Sequence, residues 1–126
     1  MPTRVLLIED NEQNRYLATF LLERSGLLVT SAADGIRGIE LAVELVPDII
    51  LLDVQLPGLN GYDVASALRN NATLNGVPIV AVTSFALQGD KEKALAAGCV
   101  GYLEKPIDPE SFVASVVSFL APAGRD

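Results

Sequence analysis

Histidine is absent from the 126 residues. That excludes Ser-His-Asp catalysis, imidazole metal ligands and a phosphohistidine carried by this chain. One cysteine, Cys99, excludes an internal disulfide and a cysteine-based zinc site, and it suits a reducing compartment. Basic residues are few: nine Lys and Arg face 16 Asp and Glu, for a net charge of -7. With a pI near 4.4, the surface repels phosphate backbones and anionic lipid, which argues against direct nucleic-acid or membrane binding. No apolar run approaches the roughly 18 residues that cross a bilayer. The richest window, Leu41 to Leu56, is interrupted by Glu44, Pro47, Asp48 and Asp53. The apolar stretch after Met1-Pro2-Thr3-Arg4 is too short for a signal sequence, so the cytoplasm is the expected location.

What is present is ordinary for a globular protein: half the residues are apolar and a fifth are charged. The length predicts one domain over 1–126, with a core from about 4 to 120 and a short tail at 121–126. Short Val-, Ile- and Leu-rich runs occur at Val5–Ile8, Leu28–Ser31, Ile49–Leu52, Pro78–Val82 and Val100–Leu103. Most are apolar throughout, as strands covered on both faces should be. Amphipathic helices are predicted between them. The first carries Tyr16, Leu17, Phe20 and Leu21 and ends at Gly26. The second starts at Asp34, carries Ile36, Ile39, Val43 and Val46, and stops before Pro47. The third runs from Asn60 to Asn70-Asn71 and the fourth from Gly89 to Ala97. The fifth opens at Asp108-Pro109 and buries Phe112, Val113, Val116, Val117 and Leu120. This is (βα)5, an α/β fold: a doubly wound parallel five-stranded sheet, flavodoxin-like, with expected order 2-1-3-4-5.

In such a sheet, ligands bind at the carboxyl ends of the strands where the order reverses, here between strands 1 and 3. Strand 1 ends in Glu9-Asp10 and strand 3 in Asp53. Two unit charges about 4 Å apart repel by roughly 4 kcal/mol at an effective dielectric near 20, so gathered acids need a cation or must take up protons. Carboxylates without imidazole or thiolate suit a hard ion, Mg²⁺ or Mn²⁺. Strand 4 ends in the hydroxyls of Thr83-Ser84, and strand 5 leads into Lys105, one of three lysines. Metal, carboxylate, hydroxyl and ammonium at one rim describe a phosphoryl site. Taken singly, each residue has a plainer reading. Asp10 caps a helix, Asp53 serves the turn at Pro57-Gly58, Thr83 lies in a loop, Lys105 is a solvated lysine and Tyr102 is packing.

The residues also carry a resemblance. The segments V-L-L-I-E-D-N (5–11), P-D-I-I-L-L-D-V-Q-L-P-G-L-N-G (47–61), P-I-V-A-V-T-S (78–84) and A-A-G-C-V-G-Y-L-E-K-P (96–106) resemble the receiver domain of two-component response regulators. The likeness spans the chain from Arg4 to about Leu120. It implies that Asp53 is the phosphoacceptor, taking a phosphoryl group from a histidine kinase or a histidine phosphotransfer protein. It implies that Asp10 and Asp53 ligate Mg²⁺, with Glu9 acting through water and the Gln55 backbone carbonyl as a further ligand. Lys105 would pair with a phosphoryl oxygen, and its peptide bond to Pro106 would be cis. Thr83 and Tyr102 would switch a surface of helix 4, strand 5 and helix 5 toward a downstream protein target. Gln55 and Phe85 would tune hydrolysis of the acyl phosphate, Gln55 by holding a water and Phe85 by restricting its approach. Phe85 and Leu87 are read either as switching-face residues or, for Phe85, as buried packing. The choice of kinase would lie on helix 1 at Asn14, Arg15 and Ala18 and in the Pro106-Ile107 loop.

The segment Phe85–Asp90 is similar to stand-alone cell-fate receivers and to receivers attached to hybrid kinases. A single-domain regulator, monomeric or weakly homodimeric, is therefore the expectation. It would act as a switch and not as a turnover enzyme. A flavodoxin-type FMN module would need a Gly- and hydroxyl-rich loop after strand 1, where Glu-Asp-Asn-Glu stands. An aspartyl phosphatase would place a second Asp two residues after the nucleophile, where Gln55 stands. A receiver that binds partners without phosphorylation is disfavoured because every key position is filled. Cys99 is expected to be a small buried filler.

Overall fold

The computed structural model describes residues 2–56, 60–83 and 90–120, the side chains of 90 and 91 excepted. Five parallel strands lie in the order β2-β1-β3-β4-β5, as expected. They are β1 (Arg4–Ile8), β2 (Leu28–Ala32), β3 (Ile49–Asp53), β4 (Ile79–Thr83) and β5 (Gly101–Glu104). The helices between them are α1 (Glu12–Arg24), α2 (Gly35–Leu45), α3 (Gly61–Arg69), α4 (Asp90–Ala96) and α5 (Phe112–Ser118).

The three inner strands are buried almost end to end, which is why they read as unbroken apolar runs. Alternate residues point to opposite faces. Leu6, Ile8, Ile50 and Leu52 pack with Leu41, Val64, Ala65 and Leu68 beneath α2 and α3. Val5, Leu7, Ile49 and Leu51 pack with Ala18, Leu22, Phe112 and Val116 beneath α1 and α5. The two edge strands are more exposed.

The helix signals act where the sequence puts them. Asn11 caps α1 by accepting the Asn14 N–H at 2.9 Å, and Gly26 follows the helix with φ +92°. Asp34 caps α2 from the Arg37 N–H at 2.8 Å, and Val46 closes that helix with φ 44° just ahead of Pro47. Asn60 caps α3 through the Tyr62 N–H at 2.8 Å. Asp108 is not the residue flanking α5. It accepts the Glu110 N–H at 3.0 Å in a turn that precedes the helix.

Three buried-face expectations are corrected. Tyr16 and Phe20 stack on each other at 6.4 Å on the exposed side of α1, while Ala18 and Leu22 meet the sheet. On α2, Ile36 and Val43 are exposed, and Gly35, Gly38, Leu41 and Ala42 supply the packed face. On α5, Val117 is exposed beside buried Val116. On α1 and α2 small residues, Ala18 and then Gly35, Gly38 and Ala42, let the helix backbone lie close to the sheet, and larger side chains are turned outward; on α5 the packed face is Phe112 and Val116. Ser84, Phe85, Leu87, Gly89, the Pro57-Gly58 turn and the 121–126 tail lie outside the described residues.

Candidate functional site

The inner strands end side by side, so their last residues share one rim. The parallel register sets Asp53 beside Val82, and Thr83 beside Glu104, one residue before Lys105. Glu9 extends the β1 ladder by one step, its N–H donating to the Ala32 carbonyl at 3.0 Å. Carboxylate oxygens of Glu9, Asp10 and Asp53 thereby lie within 4.8 Å of one another. Glu9 and Asp53 are each 2% exposed, whereas Asp10 faces solvent.

Lys105 is the cation among them. Its Nζ lies 2.9 Å from Glu9 Oε1 and 3.1 Å from Asp53 Oδ2. Burial pushes its pKa down, but the hydrogen bonds and charges of Glu9 and Asp53 outweigh that and lift it above its usual 10.5. Glu9 is held above its usual 4.5, chiefly by burial, with Asp53 adding to the rise and Lys105 opposing it. One ammonium does not neutralise three acids, two of them buried. The donor set is all oxygen, which fits a hard divalent cation such as Mg²⁺.

Asp53 is held at both oxygens. The Gln55 N–H donates to Oδ1 at 2.8 Å, and Lys105 takes Oδ2. Thr83 is buried at the end of β4, and its carbonyl accepts the Lys105 N–H at 2.8 Å. The Lys105–Pro106 peptide is cis, as the resemblance implies. Tyr102 is half-buried against the core under α2 and α3. Every predicted site residue except Phe85 is therefore described. Glu9, Asp53 and Lys105 are in direct contact, Asp10 lies with the two acids, and Thr83 and Gln55 flank them.

Two residues in this neighbourhood were not singled out as part of the rim. Gly61 opens α3, and a Cβ there would lie 2.2 Å from the Val54 backbone. Only glycine lets the helix close onto the chain just past Asp53. Its place after a capping Asn was the available signal. Gly61→Ala is expected to lower stability by about 1–3 kcal/mol in urea unfolding, the usual range for overpacking; an unchanged midpoint would contradict that close approach. Arg15 is the other, with its guanidinium 3.0 Å from the Glu9 carbonyl. The expectation that Ala18 faces a kinase is corrected, because Ala18 is buried against the sheet. Cys99 is buried with its thiol pushed up to about 11 by burial, and is inert packing as expected.

Comparison with known proteins adds the lineage. The response regulator receiver domain family model matches residues 5–117. The polar-differentiation response regulator DivK of Brucella anthropi is 39% identical over 123 residues, covering 98% of this chain and all of that protein. The receiver domain of the sensor histidine kinase PA1611 from Pseudomonas aeruginosa is 36% identical, with a TM-score of 0.86 over 94% of this chain and 98% of that one. It was solved with a magnesium ion coordinated in its active-site cleft. The receiver domain of Saccharomyces cerevisiae Ssk1 is 29% identical, with a TM-score of 0.87 over 96% of this chain and 90% of that one. It was crystallised with the histidine phosphotransfer protein Ypd1. The match runs from the first strand into the last helix, and this chain therefore belongs to the response regulator receiver domain family of two-component systems.

Proposed function

We propose that this chain accepts a phosphoryl group on Asp53 from the phosphohistidine of a histidine kinase or histidine phosphotransfer protein. The observation that carries this reading is the buried Asp53 carboxylate, fixed at one oxygen by a backbone N–H and at the other by Lys105. In the transfer an Asp53 oxygen attacks phosphorus, the P–N bond to the donor imidazole breaks, and the imidazole leaves with the bonding pair. Asp10 and Asp53 would hold Mg²⁺ directly, Glu9 through water, and the Gln55 carbonyl would complete the protein's share; Mn²⁺ suits the same oxygens. A bound ion supplies positive charge against the phosphoryl oxygens.

Lys105 and the Thr83 hydroxyl gain phosphoryl partners only in the product. They therefore bias the surface of α4, β5 and α5, on which Tyr102 moves between outward and inward positions. Swinging such a surface from 1:99 to 99:1 takes about 5.5 kcal/mol. The output is contact with a downstream protein, from one receiver domain over 1–126 in the cytoplasm, as a monomer or weak homodimer. The phosphodonor approaches over α1, where Tyr16 and Phe20 offer an exposed apolar pair. The chain also hydrolyses its own acyl phosphate slowly, with Gln55 positioning water and Phe85 restricting its approach.

The test is transfer from a radiolabelled histidine phosphotransfer protein. Label should pass to this chain with Mg²⁺ present, and EDTA should slow the transfer by at least about a hundredfold. Label that stays on every donor tried, or that moves equally fast in EDTA, contradicts the reading.

A further inference from the structure

Arg15 stands where a cation is least expected. It closes the first turn of α1, four residues past the Asn11 cap, and the positive end of the helix dipole disfavours a cation there. Its guanidinium is not spread into solvent. One Nη donates to the Glu9 carbonyl at 3.0 Å and leans on the Asp10 carbonyl at 3.4 Å. Those carbonyls lie just past the end of β1, on the two residues whose side chains enter the acidic cluster.

The rest of that turn is tied down from α1 as well. The Asn11 N–H donates to Glu9 Oε2 at 3.1 Å, and the Asn11 carbonyl accepts the Arg15 N–H at 2.9 Å. The side chain of Arg15 thus closes a loop of contacts that runs from the helix to both acids. Without it, Glu9 keeps its N–H bond to Ala32 and its carboxylate bonds to Lys105 and Asn11, but the Glu9 and Asp10 carbonyls lose their tie to the helix, and the exposed Asp10 carboxylate follows the peptide that carries it.

We infer that Arg15 is a positioning residue for the divalent-cation site, fixing the backbone of Glu9 and Asp10 so that their carboxylates converge with Asp53. The inference rests on the reading of that cluster as a Mg²⁺ site. Outer contacts that orient metal ligands are typically worth about 10–100-fold in affinity.

The experiment is a calorimetric titration of the purified chain with MgCl₂, with no partner protein present. It compares the unaltered chain with Arg15→Gln, Arg15→Lys and Arg24→Gln. Arg24 is an exposed arginine at the far end of the same helix, so its loss removes the same charge without touching the site. Arg15→Gln should weaken Mg²⁺ binding about tenfold. Arg15→Lys should recover part of that by restoring one bond to the Glu9 carbonyl, and Arg24→Gln should match the unaltered chain. The unfolding midpoint of Arg15→Gln in EDTA should stay near that of the unaltered chain, and acetyl phosphate labelling should return to near its normal rate at saturating Mg²⁺.

Affinity that is unchanged, or tighter as simple charge removal would make it, overturns the inference. So does an equal loss in Arg24→Gln, or a loss of affinity matched by a fall of the midpoint in EDTA. An unaltered chain that binds no Mg²⁺ sinks the reading of the site along with this inference, whereas normal binding in both it and Arg15→Gln sinks this inference alone.

Discussion

Asp53→Asn is expected to abolish phosphoryl uptake from acetyl phosphate, by at least about a thousandfold, while leaving the fold in place. An amide lacks the anionic oxygen that attacks phosphorus. It still fills the same volume at the end of β3, and its carbonyl oxygen still accepts the Gln55 N–H. Electrostatics protect the variant too. Asp53 raises the pKa of Glu9 both by its charge and by a hydrogen bond, so neutralising it lets Glu9 ionise more easily beside Lys105. A gel that separates phosphorylated from unphosphorylated chain checks the first half, and thermal unfolding checks the second. Normal labelling of Asp53→Asn would refute the assignment of the acceptor.

Lys105→Met has the opposite profile: a large cost in stability and continued phosphoryl uptake. It leaves Glu9 and Asp53, both nearly inaccessible to water, without their shared ammonium. Removing one partner from a buried ion pair typically costs about 3–5 kcal/mol, and about 3 is expected here in EDTA because Asp10 and its surroundings remain open to solvent. Mg²⁺ should restore much of the loss and bind more tightly than in the unaltered chain, since the competing ammonium is gone. The phosphorylated variant should fail to engage the downstream protein, because the bond linking the phosphoryl group to the end of β5 is missing. A normal response from it would contradict that coupling.

The pH dependence of this loss has a definite sign. Glu9 is held above 4.5 in the folded chain, so the folded state keeps its proton more readily. Stability from this group is present below pH 4.5 and falls as pH rises through the folded value. Lys105 is held above 10.5, so its contribution is in full force below that pH and is lost as pH climbs through the folded value. Without the ammonium, Glu9 should sit higher still. The stability gap between Lys105→Met and the unaltered chain should therefore be widest near pH 8 and narrow toward pH 4.5. Urea midpoints taken across that range measure it, and a gap that widens toward acid would contradict the pairing.

Much of this site was legible because its parts sit at strand ends. Once the alternation of apolar runs and amphipathic stretches implies a parallel sheet, Glu9, Asp10, Asp53, Thr83 and Lys105 fall on one rim, since each lies within two residues of the end of a run. Gly61 and Arg15 were harder to see, because each acts through the backbone. One admits Val54 at a distance no Cβ allows, and the other donates to carbonyls, whose positions leave no trace in residue type. The face of α1 was misread for a related reason. Tyr16 and Phe20 carry much more apolar surface than Ala18, yet Ala18 faces the sheet because a small side chain lets the helix come close.

The central claim is that one carboxylate, at the end of the third strand, becomes the acyl phosphate. Reduction with borohydride after incubation with acetyl phosphate and Mg²⁺ tests it most directly, because an aspartyl phosphate is reduced to homoserine and the position is then read by peptide sequencing. The account predicts homoserine at position 53, and none when EDTA replaces Mg²⁺. Homoserine at Asp10 or at any other aspartate, or none at position 53 after Mg²⁺ treatment, would contradict it.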